Sequence, residues 1–161
     1  MDEGEVIETS AVGGRPVIFR YPRRNDLSQF IVMRQSFHEE RIMASHEETD
    51  ELKGRSRLDD ILVAMAADRA RWLFVEFDGK LVGQGSAGIY GDTHLAVGVS
   101  LMREARGMGL GKKTMLLLED EARKLKRYTL YLEVLSANPV AHALYKDLGY
   151  EEIGRKRDFR R

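Results

Sequence analysis

Cysteine is absent from the 161-residue chain, which excludes disulfides, thiolate zinc sites, iron–sulfur clusters and cysteine nucleophiles together. Long apolar runs are absent too. The longest extends only from Ile61 to Ala67, against the ~20 residues that cross a bilayer. The first residues, Met1-Asp2-Glu3-Gly4-Glu5, are acidic where a signal peptide is basic and then apolar. These absences predict a soluble, cytoplasmic protein without a membrane partner. Net charge is the third thing missing: Lys plus Arg number 26 and Asp plus Glu number 26. No chain-wide basic field is left to collect phosphates, so nucleic acid is disfavoured as a partner.

What is present is a globular composition, 43% apolar and 32% charged. No repeat, low-complexity tract or linker divides it. Residues 1–15, polar and Gly-containing, predict a flexible tail, and 16–161 a single domain. Val17–Tyr21 predicts a strand, followed by a helix through Leu27, Phe30, Ile31, Met33 and Phe37 with Asn25 or Asp26 as its cap. A second helix is predicted over Leu58–Arg69, led by Ser56, Asp59 and Asp60. Trp72–Phe77, Leu81–Tyr90 and Leu95–Leu101 predict an antiparallel meander, with Asp78-Gly79 as a two-residue hairpin turn. A Gly-rich turn, a helix over Gly109–Lys126, a strand over Tyr128–Leu135, a helix over Pro139–Asp147 and a strand over Tyr150–Asp158 complete the order. Gly149 stands where a helix C-cap belongs. The fold class expected is α/β, with a mixed, mostly antiparallel central sheet and helices on both faces.

The turn after the meander, Arg106-Gly107-Met108-Gly109-Leu110-Gly111-Lys112-Lys113, runs from a strand into a helix. Such a turn leaves backbone N–H groups unpaired at the positive end of the helix dipole, a place for phosphate. Two nucleotide patterns fail. A Walker loop needs glycine at Arg106 and Ser or Thr at Lys113, and G-x-G-x-x-G needs glycine at Lys112 or Thr114. A third pattern, R/Q-x-x-G-x-G/A, fits as Arg106, Gly109 and Gly111. Downstream, Leu132-x-Val134 is followed by Asn138, Ala141, Leu144-Tyr145 and Leu148-Gly149-Tyr150, the spacing L-x-V then N-x-x-A-x-x-L-Y-x-x-L-G-F/Y. Over about Leu95–Tyr150 the chain resembles the GNAT (Gcn5-related N-acetyltransferase) superfamily. Its downstream motif is most similar to the ribosomal-protein N-terminal acetyltransferase-like branch.

The resemblance implies the GNAT acyl-CoA N-acyltransferase fold, with acetyl-CoA as co-substrate, no metal, and an amine acceptor attacking directly in a ternary complex. It implies that the backbone of Val99 and Leu101 pairs with the pantetheine arm and that the Val99 N–H is the oxyanion donor. The N–H groups of Arg106, Gly107, Met108, Gly109, Leu110, Gly111 and Lys112 would hold the pyrophosphate. Asn138 would contact pantetheine or orient the next helix. Tyr145 would protonate the departing thiolate, and Glu133 would be the general base. Asp92, His94 or a water remain alternatives for that base. An ammonium cannot attack, and a lysine-type amine with a reference pKa of ~10.4 is mostly protonated at pH 7, hence the need for one.

Each feature also has a plainer account: glycines as turn chemistry, Tyr145 as a core aromatic, Glu133 as an exposed strand residue, Asn138 before Pro139 as an N-cap. His38-Glu39 and His46-Glu47 begin a zinc-helix pattern, but Ile42 and Asp50 stand where its second histidine belongs. The acids Glu39, Glu40, Glu47, Glu48, Asp50 and Glu51 could rim an acceptor pocket for cationic amines or be a solvated surface. The basic stretch Arg155–Arg161 reads as a solvated end. The acceptor is left open between a small amine or polyamine and a protein N-terminus or lysine, and a homodimer is left open as well. The competing function is a CoA-binding regulatory or interaction module of the same fold without turnover.

Overall fold

The computed structural model of the chain describes residues 2–40, 49–91, 93–134 and 138–154. The elements are β1 (Val6–Val12), β2 (Arg15–Arg20), α1 (Leu27–Glu40), α2 (Glu51–Ala66), β3 (Ala70–Phe77), β4 (Lys80–Tyr90), β5 (His94–Leu101), α3 (Leu110–Lys124), β6 (Thr129–Tyr131) and α4 (Pro139–Asp147). Short 3-10 turns at Arg24–Asp26 and Arg103–Ala105 lead into α1 and the glycine loop. The six strands lie in sequence order in one sheet. Every neighbouring pair is antiparallel except β5 with β6, which is parallel. The expected mixed, mostly antiparallel sheet is therefore present.

The alternation of side chains along β3 separates two layers. Phe74 stacks on Phe30 of α1, with ring centroids 5.7 Å apart, and Arg57 of α2 lies over Trp72. α1 and α2 thus share one face. On the other, a Cβ built on Gly85, which pairs with Leu73, would sit 2.6 Å from Thr114 and 2.9 Å from Leu118 of α3. That closeness lets α3 lie flat on the centre of the sheet. Phe19, Phe30, Met33, Phe37, Leu73, Phe74, Met115 and Leu118 are fully buried between the layers. The Asp78-Gly79 turn has φ of 52° and 83°, the left-handed pair of a type I′ hairpin whose twist suits the flanking strands.

Four expectations change. The predicted tail contains β1, paired along β2 through a Gly13-Gly14 turn with φ of 57° and 77°. α2 starts at Glu51, where the Asp50 carboxylate accepts the Lys53 N–H at 2.8 Å. Ser56, Asp59 and Asp60 lie inside the helix. The strand predicted over Tyr128–Leu135 is only Thr129–Tyr131, and residues 150–154 form no strand. Residues 155–158 of that last predicted strand, together with Leu135, Asp92 and Glu47-Glu48 of the acidic segment, lie outside the described residues. Among the described residues no helix is long and apolar enough to cross a membrane.

At the junction of β2 and α1, the Arg20 guanidinium, 1% exposed, donates to both Asp26 carboxylate oxygens at 2.9 and 2.6 Å. It also donates to Glu76 at 3.2 Å and to the Tyr21 carbonyl at 3.0 Å. Asp26 accepts the Arg23 N–H at 2.8 Å as well, which sets the entry into α1. Removing Asp26 takes the two shortest charge-assisted bonds from a buried guanidinium and leaves it only Glu76 at 3.2 Å as counter-charge. Asp26→Asn is therefore expected to cost about 3–5 kcal/mol of unfolding free energy, read as a fall in the denaturant midpoint. A midpoint unchanged by the substitution counts against this assignment.

Candidate functional site

β5 is paired with β4 along its whole length. With β6 it is paired only at His94–Thr129, Leu95–Leu130 and Ala96–Tyr131. Beyond Ala96 the two chains part. Which backbone groups face that gap follows from one bond: the Met102 N–H donates to the Val82 carbonyl on β4 at 2.7 Å. In an antiparallel ladder alternate residues point the same way. Ser100, Gly98 and Ala96 therefore turn their N–H groups to β4, while Val97, Val99 and Leu101 turn theirs to the gap.

Two groups occupy these outward positions. The Arg106 Nε donates to the Leu101 carbonyl at 3.1 Å. The Val99 N–H points at the Tyr145 hydroxyl, a contact that by itself lowers the phenol's pKa; burial outweighs it and pushes the pKa up. Tyr145 is 8% exposed. Its place on α4 is fixed from both ends of that short helix. Asn138 Oδ1 accepts the Ala141 N–H at 3.2 Å, and Pro139 takes the first helical position. At the other end the Gly149 N–H donates to Lys146 and the Tyr150 N–H to Tyr145. With Gly149 at φ 93°, these bonds make a Schellman cap. The Tyr150 ring packs edge-on against Tyr145 at 5.9 Å, the apolar contact that accompanies the cap.

At the far end of the gap the chain enters α3 through Gly107 and Gly109, with φ of 76° and 77°. A Cβ on either would meet no atom of the described residues within 4 Å. The first helix bond is Lys113 N–H to the Gly109 carbonyl at 3.1 Å, so the N–H groups of Leu110, Gly111 and Lys112 have no partner within the helix. Gly111 lies where a Cβ would touch Leu144 of α4 and Leu101 of β5 at 3.5 and 3.6 Å, so α3, α4 and β5 converge there. Met108 packs, half-buried, against the core. An extended ligand ending in phosphates fits this arrangement, with amide partners along the gap and open space with unpaired N–H groups at its end.

The charges at this end are already engaged. Arg106 Nη1 meets Glu40 at the end of α1 at 2.8 Å, and Arg103 reaches the same carboxylate at 3.6 Å. Lys112 pairs with Asp147 of α4 at 2.9 Å and Lys113 with Glu8 of β1 at 2.6 Å. None of these partners is visible from sequence spacing, because each comes from an element brought near only by the fold.

Glu133 stands just past the last paired residue of β6, exposed, and its Oε1 accepts from the Tyr131 hydroxyl at 2.5 Å. His94 starts β5 and contacts the Thr93 hydroxyl at 2.7 Å. Five residues of strand put it about 17 Å from Val99, so it does not join the Val99–Tyr145 pair. Asp92 lies outside the described residues; among the described residues no group of three or more metal-ligating side chains is found.

The sequence was compared with known proteins. The family model described as the acetyltransferase (GNAT) family matches residues 32–150. The uncharacterized N-acetyltransferase YjgM of Escherichia coli (strain K12) is 30% identical over 100 residues, a stretch that spans 60% of each chain. Among solved structures, yncA of Salmonella typhimurium, determined with its cofactor acetyl-CoA, superposes with a TM-score of 0.72 at 19% identity, covering 83% of this chain and 78% of its own. The ribosomal-protein-alanine N-acetyltransferase of Brucella melitensis gives 0.73 at 23% identity, over 84% and 85%. A six-stranded sheet parted between β5 and β6, a glycine-led helix at the parting and a match through residues 32–150 agree: the chain belongs to the acetyltransferase (GNAT) family.

Proposed function

We propose that the chain moves an acetyl group from acetyl-CoA to a primary amine by direct attack in a ternary complex. The observation that carries this reading is the outward Val99 N–H meeting the Tyr145 hydroxyl in the gap between β5 and β6. A hydrogen-bond donor for a developing oxyanion and a protonated acid for a leaving group then stand at one point. The acetyl-CoA held by the yncA structure supports the choice of donor.

In this reading the pantetheine arm pairs with the open edge of β5 at Val99 and Leu101. The pyrophosphate lies against the N–H groups from Arg106 to Lys112. The amine nitrogen attacks the thioester carbonyl; the new C–N bond forms as the C–S bond breaks. The Val99 N–H stabilises the oxyanion. The Tyr145 hydroxyl gives its proton to the departing thiolate, while Glu133, directly or through water, takes the proton the ammonium must lose before attack; the second proton shed by the acylated nitrogen restores the Tyr145 hydroxyl. Asn138 acts by holding α4, and with it Tyr145, in place. Products are an N-acetylated amine and the free CoA thiol.

The deciding measurement is thiol release from acetyl-CoA with a panel of amines. Release that depends on an amine supports acetyl transfer. CoA binding in calorimetry with no thiol from any amine favours a binding module without turnover, and no binding of CoA or acetyl-CoA removes the reading altogether.

Tyr145→Phe is expected to lower kcat by ~10²–10⁴ with little change in acetyl-CoA affinity; the reverse pattern makes Tyr145 a packing residue. Because burial raises the Tyr145 pKa, the phenol keeps its proton up to and beyond its ordinary value of ~10. The kcat–pH profile should then show no alkaline fall below about pH 10 from this group, and a Tyr145-dependent fall near neutral pH contradicts the role. Glu133→Gln should move the acid limb of the profile to higher pH, and an unmoved limb transfers the base role to water.

A further inference from the structure

Over the face of the sheet that α1 and α2 cover stand two arginines with no counter-ion among the described residues. Arg34 of α1 lies over the Phe30 ring at 5.8 Å, and Arg57 of α2 over the Trp72 ring at 5.6 Å. Neither meets a carboxylate among the described residues, and the Arg34 Nε is buried without any hydrogen-bond partner. Arg20 and Arg71, the two buried arginines among the described residues, each hold two acids: Asp26 and Glu76 for one, Asp68 and Glu121 for the other. Burial first, and then the charge of Arg57, hold the Arg34 pKa down to about 10. Arg34 therefore remains cationic at neutral pH. Two neighbouring cations, one largely desolvated, are an unfavourable arrangement until an anion joins them.

Strand register connects these arginines to the gap. Trp72 pairs with Ser86 and Ser86 with Gly98; Phe74 pairs with Gln84 and Gln84 with Ser100. Phe30, which carries Arg34, stacks on Phe74. Two rows of residues thus run across the same face from beneath the arginines to Gly98 and Ser100, the neighbours of Val99. Each row covers two strand spacings, about 10 Å. Above Gly98 a Cβ would meet no atom of the described residues within 4 Å. Midway along the second row Gln84 is 7% exposed, and its Oε1 is buried without a donor. The face therefore offers cations at one side, open floor at the other, and an unsatisfied acceptor between them.

The geometry points to an acceptor that is a small amine bearing a carboxylate, an amino acid, bound on this face with its carboxylate at Arg34 and Arg57 and its amine toward Gly98 and Val99. This rests on the acetyl-transfer reading and narrows its acceptor. A planar guanidinium matches a carboxylate through paired N–H donors. The atoms balance as before: the amino acid's nitrogen gains the acetyl group, one proton leaves through the base, and CoA departs as the thiol. Glu40 and Glu51, described members of the acidic segment expected to attract a cationic acceptor, are engaged with Arg103, Arg106 and Arg55.

The test measures thiol release from acetyl-CoA with free amino acids and with their carboxamides, which keep the amine and lose the charge. The wild type should favour the free acids by at least ~10-fold in kcat/KM, as expected for a charge-assisted hydrogen bond. Arg57→Gln, at an exposed position that folding tolerates, should erode that preference by ~10–100-fold, mainly through KM. Equal or better use of the carboxamides, or a loss equal for both sets, overturns the assignment. If no compound releases thiol, the acetyl-transfer reading fails first. The anion site is then judged separately by NMR titration of the same free amino acids into the CoA-loaded protein. Binding weakened at least ~10-fold by Arg57→Gln upholds it, and binding that is absent or insensitive to the substitution rejects it.

Discussion

A strand inside a sheet must place the hydrogen-bonding groups of both its edges, and β5 does so on one side only. Its inner edge is bonded to β4 throughout; its outer edge is bonded to β6 for three residues and then released. Amides left in this way seek partners from elsewhere. The arrangement around the gap follows: the Arg106 side chain takes the Leu101 carbonyl, and the hydroxyl of Tyr145 comes in from α4 to meet Val99. Along the parted edge, backbone polarity in the sheet's interior is not consumed by the sheet itself.

Electrostatics is organised around the same division. A chain with equal numbers of acids and bases can neutralise itself locally, and at the glycine loop it does, through Glu40, Asp147 and Glu8. The oriented backbone amides at the start of α3 persist whatever the side chains do. On the opposite layer Arg34 and Arg57 have no such partners among the described residues. Lys112 and Lys113 beside the glycines are thus already paired, with Asp147 and Glu8.

The meander over residues 70–101, α3 and α4 could be read from the sequence because their signals are local: alternation for strands, a helical apolar stripe, a Pro and Asn at one end of α4 and Gly149 at the other. The candidate site residues expected from the sequence are tied to the same local motifs. β1 escaped because its residues are mostly polar and half-exposed, although the Gly13-Gly14 pair is a hairpin signal. The first turns of α2 escaped because Gly54 interrupts the helical pattern. That glycine is buried where a Cβ would come within 2.6 Å of Ile31, so it serves helix contact, which only the fold reveals. The short length of β6 escaped for a related reason, since residues 132–134 retain a strand-like sequence after their pairing ends. Ion pairs across long stretches of chain, such as Arg106 with Glu40, leave no periodic trace at all.

The cap that closes α4 has a practical meaning for anyone mapping this protein by substitution. Gly149 has no side chain to offer a ligand, yet its backbone turn fixes the last three residues before it and the aromatic after it, and Tyr145 is tied into that turn through its own carbonyl. A β-carbon at 149 would strain a left-handed conformation and shift a hydroxyl several residues away. Positional scans that score activity alone would mark this glycine as part of the chemistry. Only a paired measurement of folding and turnover would separate the hand that holds the tool from the tool.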